Sequence, residues 1–309
     1  RFYLVLWPSF VQRYRSAQVT GDTMSKICIA GLQLEAQKGN NLDSIEAEIE
    51  AAVSRFPWLD MVLLSELNAF GSDISRLEPM PGPAEARFCE LARRLGIWLI
   101  PGSFHEQAGD RIYNTVPVIR PDGSIAGRYR KLFPWCPYET NVSAGSDFLV
   151  FDVPGIGRFG VSNCYDIWFP ETLRTLTWMG AEVILHPSLT STVDREAEHA
   201  IIRRSAPLFH CYLFHVHLAG PLRVAQSCIA GPGGELVYLA GKGREIIPLK
   251  LDLDYVREVR RNGWQNLGQP LKSFRDSKLR FPPYDQGCAS PELEALGPLG
   301  LAKRHHGQP

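Results

Sequence analysis

The spacing of apolar positions changes along the chain, and the changes mark alternating strands and helices. KICIAGLQL at 26–34 is an almost unbroken apolar run of strand length, whereas NLDSIEAEIEAAVSRF at 41–56 places Leu42, Ile45, Ile49 and Val53 on one face of a helix. The next segment repeats that order: DMVLLSEL at 60–67 reads as a buried strand, 84–95 as a helix and IWLIPGSF at 97–104 as a strand. YNTVPVIR and SIAGRYRK then flank Pro121-Asp122-Gly123. Proline presets that turn and glycine supplies its positive φ, so a hairpin is predicted.

The second half has the same layout with different residues. FGVSNCYD reads as a strand, and Phe169, Leu173 and Leu176 form the apolar stripe of a following helix that opens at Pro170-Glu171. A strand ending at ILHPS follows, then a helix at about 194–209, a strand CYLFHVHLA at 211–219, and a hairpin of RVAQSCIA and ELVYLA around Gly231-Pro232-Gly233-Gly234. Two βα-rich halves, each closing with a hairpin, predict an α/β fold built as an α-β-β-α sandwich. A short charged helix is predicted from Asp252. Proline, glycine and charge dominate from Ser273, so 273–309 is expected to be an extended, partly disordered tail. At the other end, the apolar run in RFYLVLWPSF is too short to span a bilayer and no clear A-x-A site follows it. Residues 1–23 are read as an N-terminal extension, disordered or non-native, which leaves 24–272 as the folded unit.

Composition narrows the function classes. With 45% hydrophobic residues the chain can bury a sizeable core. Its 33 basic and 33 acidic residues cancel, and the clusters Arg128, Arg130, Lys131 and Arg257, Arg260, Arg261 are too short to form a basic stripe. Neither nucleic acid nor membrane is therefore expected as a partner. The seven cysteines are odd in number and contain no CxxC pair, which speaks against a zinc ribbon or disulfide framework and for reduced thiols in the cytoplasm.

The candidate chemistry lies at strand ends. Cys164 sits where a strand turns into a helix, the corner at which open α/β sheets place ligands, and a thiol there can be activated by nearby positive potential. Alone, it reads more readily as a buried small hydrophobe. Glu66 emerges from the apolar run Val62–Leu64, where desolvation should shift its ionisation as a general base requires; a solvated loop carboxylate is the alternative. Lys131 ends the hairpin strand before a rigid loop containing Pro134, Trp135, Pro137 and Tyr138, with a snorkelling surface lysine as the alternative. Together they make a nucleophile, a base and an oxyanion partner.

In LLSELNAFG, YRKLFPW and SNCYDIWFPE the chain resembles the nitrilase superfamily of carbon-nitrogen hydrolases, over about Lys26 to Asp276. The resemblance implies a four-layer αββα fold, assembly into dimers or larger homo-oligomers, and the triad Glu66, Lys131 and Cys164. It also implies a second glutamate, Glu139, that positions the lysine and substrate. In the mechanism that follows, Cys164 attacks a carbonyl carbon while Glu66 takes the thiol proton, and Lys131 with the Tyr165 backbone N–H holds the oxyanion. No metal or organic cofactor is required; the partners are a small amide or nitrile substrate and water.

Tyr165-Asp166 after the nucleophile is more similar to the amidase branches than to true nitrilases, in which Trp-Glu usually follows, and RKLFPWCPYE resembles aliphatic amidases and formamidases. Those enzymes continue with a Gly-Trp-Tyr-Pro-Gly type run where this chain has Thr140–Gly145, so the pocket wall is expected to differ. A small carboxamide is the favoured substrate, with nitrile and N-carbamoyl compounds as alternatives and a catalytically silent oligomeric scaffold as the reading from another class. Trp135, Tyr138, Trp168 and His186 are candidate substrate-binding residues, with core packing the alternative for the tryptophans and a structural hydrogen bond for His186. Strand alternation puts Cys211, His215 and His217 on one face, but Cys211 and His217 stand on the order of 20 Å apart along an extended strand, too far to share a zinc ion. No metal site is expected.

Overall fold

A computed structural model describes residues 25–37, 39–72, 76–190, 195–220, 225–285 and 287–300. The expected extension at 1–23, the start of RVAQSCIA at 223–224 and the end of the tail at 301–309 lie outside the described residues. In chain order the first half comprises β1 (Lys26–Gln33), α1 (Leu42–Arg55), β2 (Met61–Leu64), α2 (Pro83–Leu95), β3 (Trp98–Ile100), β4 (Phe104–Ala108), β5 (Arg111–Ile119) and β6 (Ile125–Arg130). The second half comprises β7 (Leu149–Val153), β8 (Gly157–Val161), α3 (Pro170–Trp178), β9 (Val183–Ser188), α4 (Arg195–Phe209), β10 (Tyr212–His217), β11 (Cys228–Ala230) and β12 (Leu236–Leu239). It is followed by β13 (Glu245–Asp252), α5 (Leu253–Asn262), α6 (Pro270–Asp276) and α7 (Pro291–Glu294).

Two sheets result. In the first, β1, β2 and β3 run parallel, β13 adds antiparallel to β1, and β5 pairs antiparallel with β3, β4 and β6. The second has the order β12-β11-β10-β9-β8-β7, parallel from β8 to β10 and antiparallel at both margins. Alternation within β1 explains the layering: Ile27 and Ile29 face the second sheet, while Ala30 and Leu32 face α1 and α2. Likewise Val183 and Leu185 of β9 join the inter-sheet core, whereas Ile184 packs with Leu173, Leu176 and Ile202 of α3 and α4. Strands covered on both faces read as continuous apolar runs, which is why 26–34 and 60–64 carry no polar alternation. The molecule is thus mixed α/β, with two facing sheets covered by helices.

Some boundaries differ from expectation. IWLIPGSF is two strands, because Pro101-Gly102-Ser103 separates β3 from β4, both of which lie along the same edge of β5. The described part of the tail is largely exposed and carries short helical segments: α6 crosses the expected boundary at 272, a turn of 3₁₀ helix spans Pro282–Tyr284, and α7 follows. No helix among the described residues is long and apolar enough to cross a membrane.

Candidate active site

Three strand ends converge where the two sheets meet. Glu66 follows β2, Lys131 directly follows β6, and Cys164 follows β8 as the first residue of a 3₁₀ turn, Cys164–Trp168. All three are buried. Lys131 Nζ donates to Glu66 Oε1 at 2.9 Å and to Glu139 Oε2 at 2.8 Å. The Glu66 carboxyl and the Cys164 thiol act on each other's ionisation, and the thiol donates to the Leu189 carbonyl at 3.7 Å.

The backbone holds the thiol at a cost. Cys164 has φ +50°, in the left-handed region, where a residue bearing a Cβ is strained by roughly 1–3 kcal/mol. Such a conformation turns the chain sharply from strand into helix and presents the side chain at the corner. Tyr165 is the second residue of that 3₁₀ segment, in its first turn, where backbone N–H groups have no partner within the helix.

Electrostatics assign different resting states to the four groups. Burial pushes the Glu66 carboxyl up from its ordinary value, outweighing the pull of Lys131. For Lys131 burial acts downward, but Glu66, Cys164 and Glu139 more than offset it, so the ammonium is held well above the usual lysine range. Burial also works against ionisation of Glu139, yet the charge and hydrogen bond of Lys131 and donors from Trp135 and Asn114 keep that carboxyl below its usual value. The Cys164 thiol is pushed well up by burial and by the neighbouring Glu66. A thiol that rests protonated needs a base at the moment of attack, and a carboxyl of raised proton affinity is suited to that task.

A cavity of about 430 Å³ opens over these groups and is lined also by Leu67, His105, Trp135, Tyr138, Thr140, Asn141 and Leu189. Trp135 and Tyr138 pack with rings tilted by 35° and centroids 4.4 Å apart, and Glu139 accepts the backbone N–H of Trp135. The loop that begins Thr140–Asn141–Val142 therefore forms part of the wall, at the place where the sequence departs from aliphatic amidases.

Two of the expected substrate-binding residues stand elsewhere. Trp168 lies beyond the lining, 38% exposed, near Tyr165. His186 is buried on the helix-covered face of β9, where its Nδ1 pairs with Ser162 Oγ at 2.8 Å and its ring lies 5.5 Å from that of His215. On the same face His217 Nε2 accepts the Thr190 N–H at 2.8 Å and Nδ1 donates to the Leu218 carbonyl at 2.7 Å. Both ring nitrogens of His217 thus serve internal bonds. No group of three or more metal-ligating side chains is positioned for an ion among the described residues.

Sequence reasoning passed over Asn114 and left the role of Asp166 open. Asn114 Nδ2 donates to Glu66 Oε1 at 2.8 Å and to Glu139 Oε1 at 3.3 Å, and its Oδ1 accepts from Asn163 Nδ2 at 3.0 Å. The signal available was a polar Asn-Thr pair inside the otherwise apolar strand β5. Asp166, fully buried, accepts the Tyr129 hydroxyl at 2.6 Å and the N–H groups of Phe133 at 2.8 Å and Asn163 at 2.9 Å. One carboxylate thereby ties both flanks of Lys131 to the residue that precedes Cys164.

Known proteins resemble this chain in sequence and in fold. Residues 26–261 match the family model for carbon-nitrogen hydrolases. The chain is 28% identical over 200 residues to omega-amidase NIT2 of Xenopus tropicalis, spanning 59% of this chain and 71% of that protein. It is 32% identical over 215 residues to N-carbamoylputrescine amidase of Solanum lycopersicum, spanning 61% and 71% respectively. The crystal structure of Saccharomyces cerevisiae Nit3, a member of branch 10 of the nitrilase superfamily, superposes with a TM-score of 0.71 at 27% identity, covering 77% of this chain and 94% of that one. With a match over most of its length and the fold of that superfamily, the chain belongs to the carbon-nitrogen hydrolase family.

Proposed function

We propose that this enzyme is an amidase that converts a small carboxamide to carboxylate and ammonia through a thioester on Cys164. The observation that carries this reading is the contact of the Lys131 ammonium with Glu66 and Glu139, in one cavity with Cys164. Cys164 Sγ forms a bond to the carbonyl carbon as Glu66 removes the thiol proton, and the negative oxygen is held by Lys131 and the Tyr165 N–H. Glu66 passes the proton to the leaving nitrogen, the C–N bond breaks and ammonia departs. Water then loses a proton to Glu66 and attacks the thioester, the C–S bond breaks, and the proton returns to sulfur. Glu139 keeps Lys131 charged and in place.

The named activities of the omega-amidase and N-carbamoylputrescine amidase relatives support amide over nitrile chemistry. The second of these also supports an N-carbamoyl amide as an alternative substrate. Trp135 and Tyr138 form the aromatic wall in this reading, whereas Trp168 and His186 stand outside the cavity lining. Seven free cysteines accord with a reducing, cytoplasmic compartment, and family resemblance with a homo-oligomer.

The test is ammonia release from a panel of short amides, nitriles and N-carbamoyl compounds. Turnover is expected with the amides, and Cys164→Ala is expected to abolish it while acyl-enzyme mass appears only in the unsubstituted protein. Nitrile turnover without amide turnover, or activity surviving in Cys164→Ala, sinks the proposal.

A further inference from the structure

We propose that Asn114 is a positioning residue that selects which oxygen of Glu66 acts as the base, and that Asn163 fixes the orientation in which it does so. The inference rests on the assignment of Glu66 as the base made above. Asn114 lies in the middle of β5 and is fully buried. Its Nδ2 and the Lys131 Nζ both donate to the same atom, Glu66 Oε1, at 2.8 and 2.9 Å. Two donors on one oxygen leave Oε2 as the oxygen that receives the thiol proton. The same two donors also reach Glu139, Asn114 through Oε1 at 3.3 Å and Lys131 through Oε2 at 2.8 Å. Asn114 and Lys131 thus bridge the two carboxylates in parallel.

A primary amide has a donor end and an acceptor end of nearly equal size, so the network decides its direction. Asn163 Nδ2 donates to Asn114 Oδ1 at 3.0 Å. With its acceptor end engaged there, Asn114 turns its donor end to the carboxylates; the reverse orientation would set an amide oxygen against Glu66 and Glu139. Asn163 immediately precedes Cys164, so the strand that delivers the nucleophile also sets the amide that orients the base. Among the described residues, Lys131, Glu139 and Cys164 act on Glu66, and His105 lines the same cavity. Asn114 is a neutral amide donor to the same carboxylate.

The rate of Cys164 alkylation by iodoacetamide, read at the Cys164 peptide by mass spectrometry as a function of pH, tests this without any substrate. In the unsubstituted chain the rate should fall on the acid side as Glu66 is protonated. Loss of an N–H donor destabilises the ionised carboxylate, so the acid limb should move to higher pH in Asn114→Ala. It should move further in the isosteric Asn114→Asp, which adds a third carboxylate. Alkylation at neutral pH should slow on the order of 10-fold, a part of what a positioned base contributes. A limb at its original pH in a variant with native circular dichroism overturns the proposal, because a merely structural role would alter the rate and leave the limb in place. A second measurement needs no variant: the Asn114 side-chain amide ¹⁵N resonance should titrate with the midpoint of the limb, and a flat resonance is equally fatal. Absence of any acid limb in the unsubstituted chain would instead remove Glu66 as the base, which separates failure of this inference from failure of the proposed function.

Discussion

Asp166 shows how a single side chain can set the geometry of a site it does not enter. Its carboxylate accepts donors from Tyr129, Phe133 and Asn163, so replacing it by alanine leaves two buried donors and one part-buried donor without this partner. Each orphaned donor costs about 1–3 kcal/mol, and a loss of about 3–5 kcal/mol in urea unfolding is expected for Asp166→Ala. Ionisation adds a pH signature. Burial pushes this carboxyl up and the three donors, with the Lys131 charge, pull it back, the balance lying at about 6 against an ordinary 3.8. The folded state therefore binds the proton more tightly than the unfolded state, and the contribution of Asp166 is fully present below 3.8 and declines as pH rises toward about 6. Measured as the difference in unfolding free energy between the parent and Asp166→Asn, stability should fall across that interval; a flat difference would show that the two states hold the proton alike. In the sequence, Asp166 was legible only as half of the Tyr165-Asp166 pair that resembles the amidase branches. Two of its three partners lie 33 and 37 positions away and reach it only in the folded chain.

Among the elements, the break between β3 and β4 does for Glu66 what Asp166 does for Lys131. Ser103 Oγ accepts the N–H of Leu67 at 3.0 Å, so the break packs directly on the turn that carries the base. Gly102 adopts φ +80°, and a Cβ built there would stand 1.9 Å from the Ser65 carbonyl oxygen, a backbone atom that cannot step aside. Gly102→Ala should thus combine left-handed strain with displacement of the Ser65-Glu66 segment. A drop of about 2–4 kcal/mol in stability and at least a tenfold loss in kcat are expected. Native kcat in a folded variant would mean that the turn is not held by this contact. The same region shows where local pattern misleads: an apolar run long enough for one strand was read as one, although Pro101-Gly102 already marked a break. β13 was harder to see, since Pro248 removes a ladder donor, and proline within a run argues against a central strand. The structure resolves that conflict by placing β13 at the edge of its sheet, where Pro248 faces Ala30.

Across the whole molecule, the layered architecture was legible because both faces of the central strands are covered and the apolar runs record it. The convergence of Glu66 and Lys131 from one sheet with Cys164 from the other was legible through resemblance to a family, not through periodicity, because spacing along a chain says nothing about which strand ends meet. The segment that follows the two halves is what fastens them. β13 pairs with β1 over eight residues of the first sheet, and Arg257 of α5 forms an ion pair with Glu182, at the entry to β9 of the second sheet, at 2.7 Å. Residues 245–262 are thus a strap between the layers, whereas the described tail beyond Asp276 is exposed and attaches through contacts such as Tyr284 Oη to Glu171 at 2.9 Å. A chain ending after Asp276 should therefore keep its unfolding free energy within about 1 kcal/mol and retain turnover, in line with the small effect of surface changes. One ending after Gly243 leaves the β1 edge unpaired and removes Val256 and Leu253 from the core, so it should lose cooperative unfolding and expose hydrophobic surface to dye binding. If the two truncated chains instead unfold alike in calorimetry, the strap carries no more stability than the tail and the two halves must hold together through the inter-sheet core alone.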